Sequence, residues 1–139
     1  MQSYLVYWGA GLSTILACVK LWEVWRNRFR ISVSYNFTSD PHETGNEIYI
    51  RNLAHHAIIL SYWEVLLLSG RRPLRKSETL VEPEPDEIRD VKIESHTTHT
   101  LRFLEGNHFE WGHAALRGRK MFIRIHIAGR SPILKYVFG

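Results

Sequence analysis

The rhythm of polar and apolar positions changes once along this chain. Residues 4–19, YLVYWGAGLSTILACV, carry no charge, and the apolar character continues past Lys20 and Glu23 to Trp25. At helical rise these roughly 22 residues reach about 33 Å, enough to cross the hydrocarbon of a bilayer once. From Arg30 onward the period becomes two. Ile31, Val33, Tyr35 and Phe37 alternate with Arg30, Ser32, Ser34 and Asn36, the pattern of a half-buried strand. SDPHETG supplies a Pro and Gly turn, and NEIYIRN reads as a second strand with Ile48 and Ile50 on one face. AIILSYWEVLLLS is long enough and apolar enough to be the central strand. Its polar members Ser61 and Glu64 fall on opposite faces, which predicts a bulge or bend.

Residues 69–87 are the least apolar tract, basic at Arg71, Arg72, Arg75 and Lys76 and acidic at Glu82, Glu84, Asp86 and Glu87. Pro83 and Pro85 disfavour regular structure there, so this is an exposed connection with SETLV as a short edge strand. From Ile88 alternation resumes through Val91, Ile93, Ser95, Thr97, His99, Leu101 and Phe103, as two strands broken near Glu94. GNHFEWGHAALRGR offers one helical turn between glycines. The last tract is a hairpin turning at Gly129, with Met121, Ile123, Ile125 and Ile127 on one side and Leu134, Tyr136 and Phe138 continuing the pattern. Seven or eight short strands predict a mainly β chain: an antiparallel β-sandwich, immunoglobulin- or fibronectin-like, preceded by one N-terminal transmembrane helix. The boundary falls between residues 1–29, anchor and basic juxtamembrane segment, and residues 30–139, the sandwich.

Charge gives the anchor a direction. Arg26, Arg28 and Arg30 follow the apolar run, and no side chain before it is charged, so the positive-inside rule puts the N-terminus outside and the body in the cytoplasm, with the helix single-pass in the inner membrane. A secretory signal has the reverse order of charge. Trp8 at one end and Trp22 and Trp25 at the other suit the two headgroup layers, with Arg26 and Arg28 at the inner one. Gly9, Ser13 and Ala17 recur every four residues, beside a row of Ala10, Thr14 and Cys18; such small-residue faces are packing surfaces in lipid and predict a homo-oligomer. The single Cys18 cannot close an internal disulfide, in keeping with a reducing compartment.

Composition narrows the partners. The chain has 18 Lys and Arg against 14 Asp and Glu in 139 residues, but setting aside Lys20, Glu23, Arg26 and Arg28 leaves 15 against 13. The basic balance is therefore mostly a boundary signal, and a nucleic-acid partner is not expected.

Three tracts, LWEVWRNR, NEIYIRNLAHHAIIL and FIRIHIAGR, carry a resemblance that extends over nearly the whole chain. In them the sequence resembles a set of small bacterial proteins with one spanning helix, a Trp-Glu-x-x-Arg-like exit and a cytoplasmic immunoglobulin/fibronectin-like sandwich. The resemblance implies that architecture and supplies no active site.

Candidate chemistry is sparse. Eight histidines include the pairs His55/His56, His96/His99 and His108/His113, but none has strong ligand spacing, and no metal or cofactor is expected. GxSxG, GxGxxG and Walker loops are absent from the sequence, Ser95 beside His96 is sequence adjacency alone, and EPEPDE lacks EF-hand spacing. The NFTS sequon at Asn36 conflicts with a cytoplasmic body. No catalytic residue is assigned and the chain does not read as an enzyme.

What remains is a membrane-anchored interaction module that binds a protein partner or itself at the cytoplasmic face. Its contact surfaces are His108, Phe109 and Trp111 in NHFEWGH and the charged connection at Arg71 and Arg72. The alternative is an oligomeric membrane-disrupting or pore-forming effector, of the kind used in bacterial and phage conflict, with the sandwich as sensor. In that reading a basic pocket from Arg71, Arg72, Arg117, Arg119 or Arg124 accepts an anionic nucleotide.

Overall fold

The computed structural model describes residues 2–26, 28–40, 42 and 45–139, with the side chains of all but 2, 3 and 5. The chain divides into two compact units, Met1–Arg30 and Ile31–Gly139. The first holds helix α1 (Gln2–Arg26), slightly longer than the apolar run required. No helix among the described residues is long and apolar enough to cross a membrane, which departs from the expected transmembrane helix. The physical reason lies in small and polar positions: Gly9, Ser13 and Thr14 from the packing rows, together with Gly11, Lys20 and Glu23, dilute the apolar run.

The second unit has eight strands: β1 (Ile31–Asn36), β2 (Asn46–Asn52), β3 (Ile58–Ser69), β4 (Lys76–Val81), β5 (Val91–Ile93), β6 (Thr98–Phe103), β7 (Lys120–Ile127) and β8 (Ile133–Phe138). They form two antiparallel sheets. One has the order β1-β2-β6; the other runs β4-β3-β7-β8, with β5 pairing the early part of β3. The expected Pro and Gly turn between β1 and β2 falls partly on 41, 43 and 44, outside the described residues.

Alternation decided most of this. Met121, Ile123, Ile125 and Ile127 are all buried on β7, as are Ile48 and Ile50 on β2. β3 is the central strand, paired with β4, β5 and β7, and its register with β7 slips between Leu60 and Tyr62, at the expected Ser61. Two positions differ. Val137, not Tyr136, is the buried member of β8, because the β7–β8 register shifts between Met121 and Phe122 and leaves Val137 as the extra residue. On β1 only Ile31 is fully buried, and Tyr35 is 45 % exposed.

Buried side chains of both sheets meet in the core: Ile48, Ile50, Leu101 and Phe103 from one, Val65, Leu67, Met121, Ile123 and Ile125 from the other. A chain of edge-on rings links the two, from Trp63 to Phe103 at 5.3 Å and from Phe103 to Phe109 at 5.1 Å. It continues from Phe109 to Phe37 at 5.4 Å, and Phe138 of β8 closes on Tyr35 and Phe37 at 5.3 and 5.8 Å. Each such pair adds about 0.5–1.5 kcal/mol beyond the area it buries.

Candidate interaction surfaces

On α1, Gly9, Ser13 and Ala17 are exposed, as are the large side chains of Trp8, Leu12, Ile15, Leu16, Val19, Trp22 and Trp25. Its polar groups close bonds within the helix. Ser13 Oγ donates to the Gly9 carbonyl and Thr14 Oγ1 to that of Ala10, each at 2.9 Å, and Lys20 Nζ meets Glu23 Oε2 at 3.0 Å. At the far end the Arg26 guanidinium lies 5.1 Å over the Trp22 ring and Arg30 5.4 Å over Trp25; Arg26 also faces the negative end of the helix dipole. Cys18 is a free, exposed thiol, and Arg28 is exposed.

The NHFEWGH segment is bound into the β unit. Phe109 is buried at 4 % exposure, between Phe37 and Phe103. His108 Nε2–H and Trp111 Nε1–H both donate to the Thr38 carbonyl at 3.3 Å, the first taken as the Nε2 tautomer. Beneath them sits Asn46, wholly buried at the start of β2. Its Nδ2–H donates to the Phe109 carbonyl at 2.7 Å, and its Oδ1 accepts from the Thr38 N–H at 3.1 Å. The partner-binding role expected of Phe109 thus has no exposed ring to carry it, whereas Trp111 and His108 keep partial exposure beside the short helix α2 (His113–Leu116).

The other end of β2 repeats the device. Asn52, also wholly buried, shares its two amide N–H groups among the carbonyls of His56, Ile93 and Glu94 at 2.9–3.2 Å, and its Oδ1 accepts from Ala54 N–H at 2.9 Å. Sequence reasoning missed both asparagines. An Asn at a strand end reads as a turn residue, and only its coincidence with the buried face of Ile48 and Ile50 signals otherwise.

The histidines are dispersed. His55 and His96, both exposed, approach edge-on at 5.3 Å, and among the described residues no group of three or more His, Cys, Asp or Glu converges. Ser95 Oγ donates to the Ala54 carbonyl at 2.6 Å, so the hydroxyl beside His96 ties a loop down. His99, half-buried on β6 opposite Ile50, is held neutral more firmly than usual because burial lowers its pKa. Tyr62 has its pKa raised, first by burial and then by the hydrogen bond to Glu82.

The expected basic set divides. Arg119 is ion-paired to Glu78 and Arg124 to Glu64, while Arg117 caps α2 in the left-handed conformation. Arg71 and Arg72, on the turn between β3 and β4, instead share a cleft of about 500 Å³ with Arg75 and Lys120. No family model matches the chain, and no curated protein or solved structure matches it either.

Proposed function

We propose that the protein is a membrane-anchored, non-catalytic interaction module. In this reading α1 spans the inner membrane once, and the two sheets form an immunoglobulin/fibronectin-like sandwich at the cytoplasmic face, where it binds a protein partner or a second copy. The observation that carries the reading is the helix itself. Its large apolar side chains are exposed over most of its circumference, broken by the small-residue row of Gly9, Ser13 and Ala17 rather than by a broad charged face, and a helix of that kind is stable only where its faces are covered. Ser13, Thr14, Lys20 and Glu23 lower its mean hydropathy, yet each closes a bond within the helix, which lowers the cost of placing them in lipid. Arg26 and Arg28, beyond the aromatic ring set, favour the cytoplasmic side.

Alkaline extraction of membranes containing the full chain is the test. Retention in the pellet, with loss when Leu12 and Leu16 are replaced by Lys, supports the anchor; release of the unaltered chain into the supernatant sinks it.

The pore-forming alternative draws on one observation. An added Cβ at Gly9 would meet nothing within 4 Å, so the Gly9, Ser13, Ala17 face is open to a second helix. Expression that collapses membrane potential, and ceases to do so after Gly9→Leu with Ser13→Leu, would favour it over the module.

A further inference from the structure

The geometry points to a phosphoanion site in the cleft at the β3–β4 turn. Three guanidinium groups and one ammonium line it, those of Arg71, Arg72, Arg75 and Lys120, and no carboxylate does. All four are exposed, and none takes part in an ion pair among the described residues. Elsewhere in the unit Arg119, Arg124 and Arg102 each meet a carboxylate, that of Glu78, Glu64 and Glu47, whereas this cleft gathers four cations with no carboxylate in its lining. A solvated polar face ordinarily interleaves both signs, whereas a cleft of one sign concentrates field and gathers counter-ions.

The walls are also shaped for a ligand. Gly70 turns the chain at φ +83°, and a Cβ there would stand 3.2 Å from the Leu74 carbonyl, so the turn folds tightly and brings Arg71 and Arg72 back toward Arg75. The Arg75 guanidinium lies 5.4 Å over the Phe122 ring, which holds its plane in place before any ligand arrives. Lys120, from the start of β7 and paired with Leu68 of β3, completes the lining.

Planar guanidinium forks match the paired oxygens of a phosphoryl group, and three of them with a lysine exceed what a single carboxylate would need. A cleft of about 500 Å³ accepts a diphosphate or a small nucleotide head. The ligand class is therefore a compound bearing a phosphoryl or diphosphoryl group, either a soluble metabolite or an anionic lipid headgroup. The cleft lies wholly within the β unit, and its chemistry does not depend on where α1 resides.

The test uses the full chain in neutral detergent micelles. One arm titrates inorganic pyrophosphate by calorimetry; the other follows retention of phosphatidylglycerol against phosphatidylcholine by native mass spectrometry. Saturable pyrophosphate binding that weakens at least about tenfold in R71A/R72A, and separately in K120A, establishes the site for soluble phosphoanions, since each lost charge-assisted bond is strong. Selective phosphatidylglycerol retention, lost in the same variants without pyrophosphate binding, assigns it to a headgroup. R71K/R72K keeps the charge and loses the fork, and is expected to recover only part of the affinity. The proposal is overturned if neither probe binds, or if binding is unchanged in both R71A/R72A and K120A.

Discussion

Asn46 donates its side-chain N–H to the carbonyl of Phe109 at 2.7 Å, across 63 residues of sequence, and both residues are buried. The bond fixes the NHFEWGH segment to the start of β2, so the orientation of the neighbouring Trp111 and His108 depends on an amide that neither touches. The same amide accepts from the N–H of Thr38, whose carbonyl receives both of those side chains.

Removing either buried asparagine strands several backbone groups without water. Asn46→Ala is expected to cost about 2–3 kcal/mol, and Asn52→Ala at least as much because its amide serves more partners. Urea unfolding reads both. A loss below about 0.5 kcal/mol, the range of an ordinary surface substitution, would mean that water replaces the amide.

Two glycines of equal conformational need separate space from backbone strain. Gly45 has φ +63° and an added Cβ would stand 2.4 Å from the Phe103 carbonyl oxygen; Gly129 has φ +76° and nothing within 4 Å. Gly129→Ala should lose about 1 kcal/mol, the cost of the left-handed region alone. Gly45→Ala should lose clearly more, read as a lower melting temperature, since the β2–β6 pairing must shift to admit the methyl group.

One member of the ring chain, Phe103 of β6, reaches the other sheet through Trp63 of β3. Phe103 is 1 % exposed and touches both Trp63 and Phe109, whereas Tyr136, on β8, is 51 % exposed. Phe103→Ala is expected to destabilise by about 3–5 kcal/mol. Tyr136→Ala should stay near 1 kcal/mol or less. Equal losses in thermal unfolding would show that the outer ring carries core weight.

These contrasts also mark how far the sequence could be read. Period-two alternation located β1, β2 and β7, because a one-residue slip would turn Ile123 and Ile125 to the solvent side and the register is held against that, whereas β3 stood out by its length and apolar run and β4 only as a short edge tract between charged ends. It could not locate Val137 as the buried residue of β8, since a bulge breaks the period without leaving a local signal. Nor could it show that Asn46 and Asn52 are buried, because their partners come from loops far along the chain. The cleft at Arg71 and Arg72 was half legible. Both arginines stood out as a charged connection, but Lys120 joins them only because β7 pairs with β3, with Leu68 opposite Lys120. Helix α1 was the reverse case: its long apolar run is plain in the sequence, and the fold adds the internal bonds of Ser13 and Thr14, while no helix among the described residues is long and apolar enough to cross a membrane.

A pH dependence follows from His99. Burial holds its folded-state pKa below the usual 6.5, so the unfolded chain binds the proton more readily as pH falls through that value. Stability is full above about 6.5 and is lost progressively as pH drops toward the folded pKa, where the native state must charge a covered imidazole. His99→Leu is expected to flatten this slope in urea midpoints measured between about pH 7 and 5. A slope unchanged in the variant would assign it to other groups.

The covalent thread gives the Asn52 bonds a mechanical meaning. The chain enters the β unit at Ile31, and in the β1–β2 register Ile31 stands opposite Asn52. Tension arriving along the backbone enters the edge strand β1 at Ile31, whose partner across the first rung is the residue bound through its amide to His56, Ile93 and Glu94. Those bonds lie between β2, the β2–β3 loop and the end of β5, and none of them reaches β1. A pull strong enough to peel β1 away would leave β2 riveted in place.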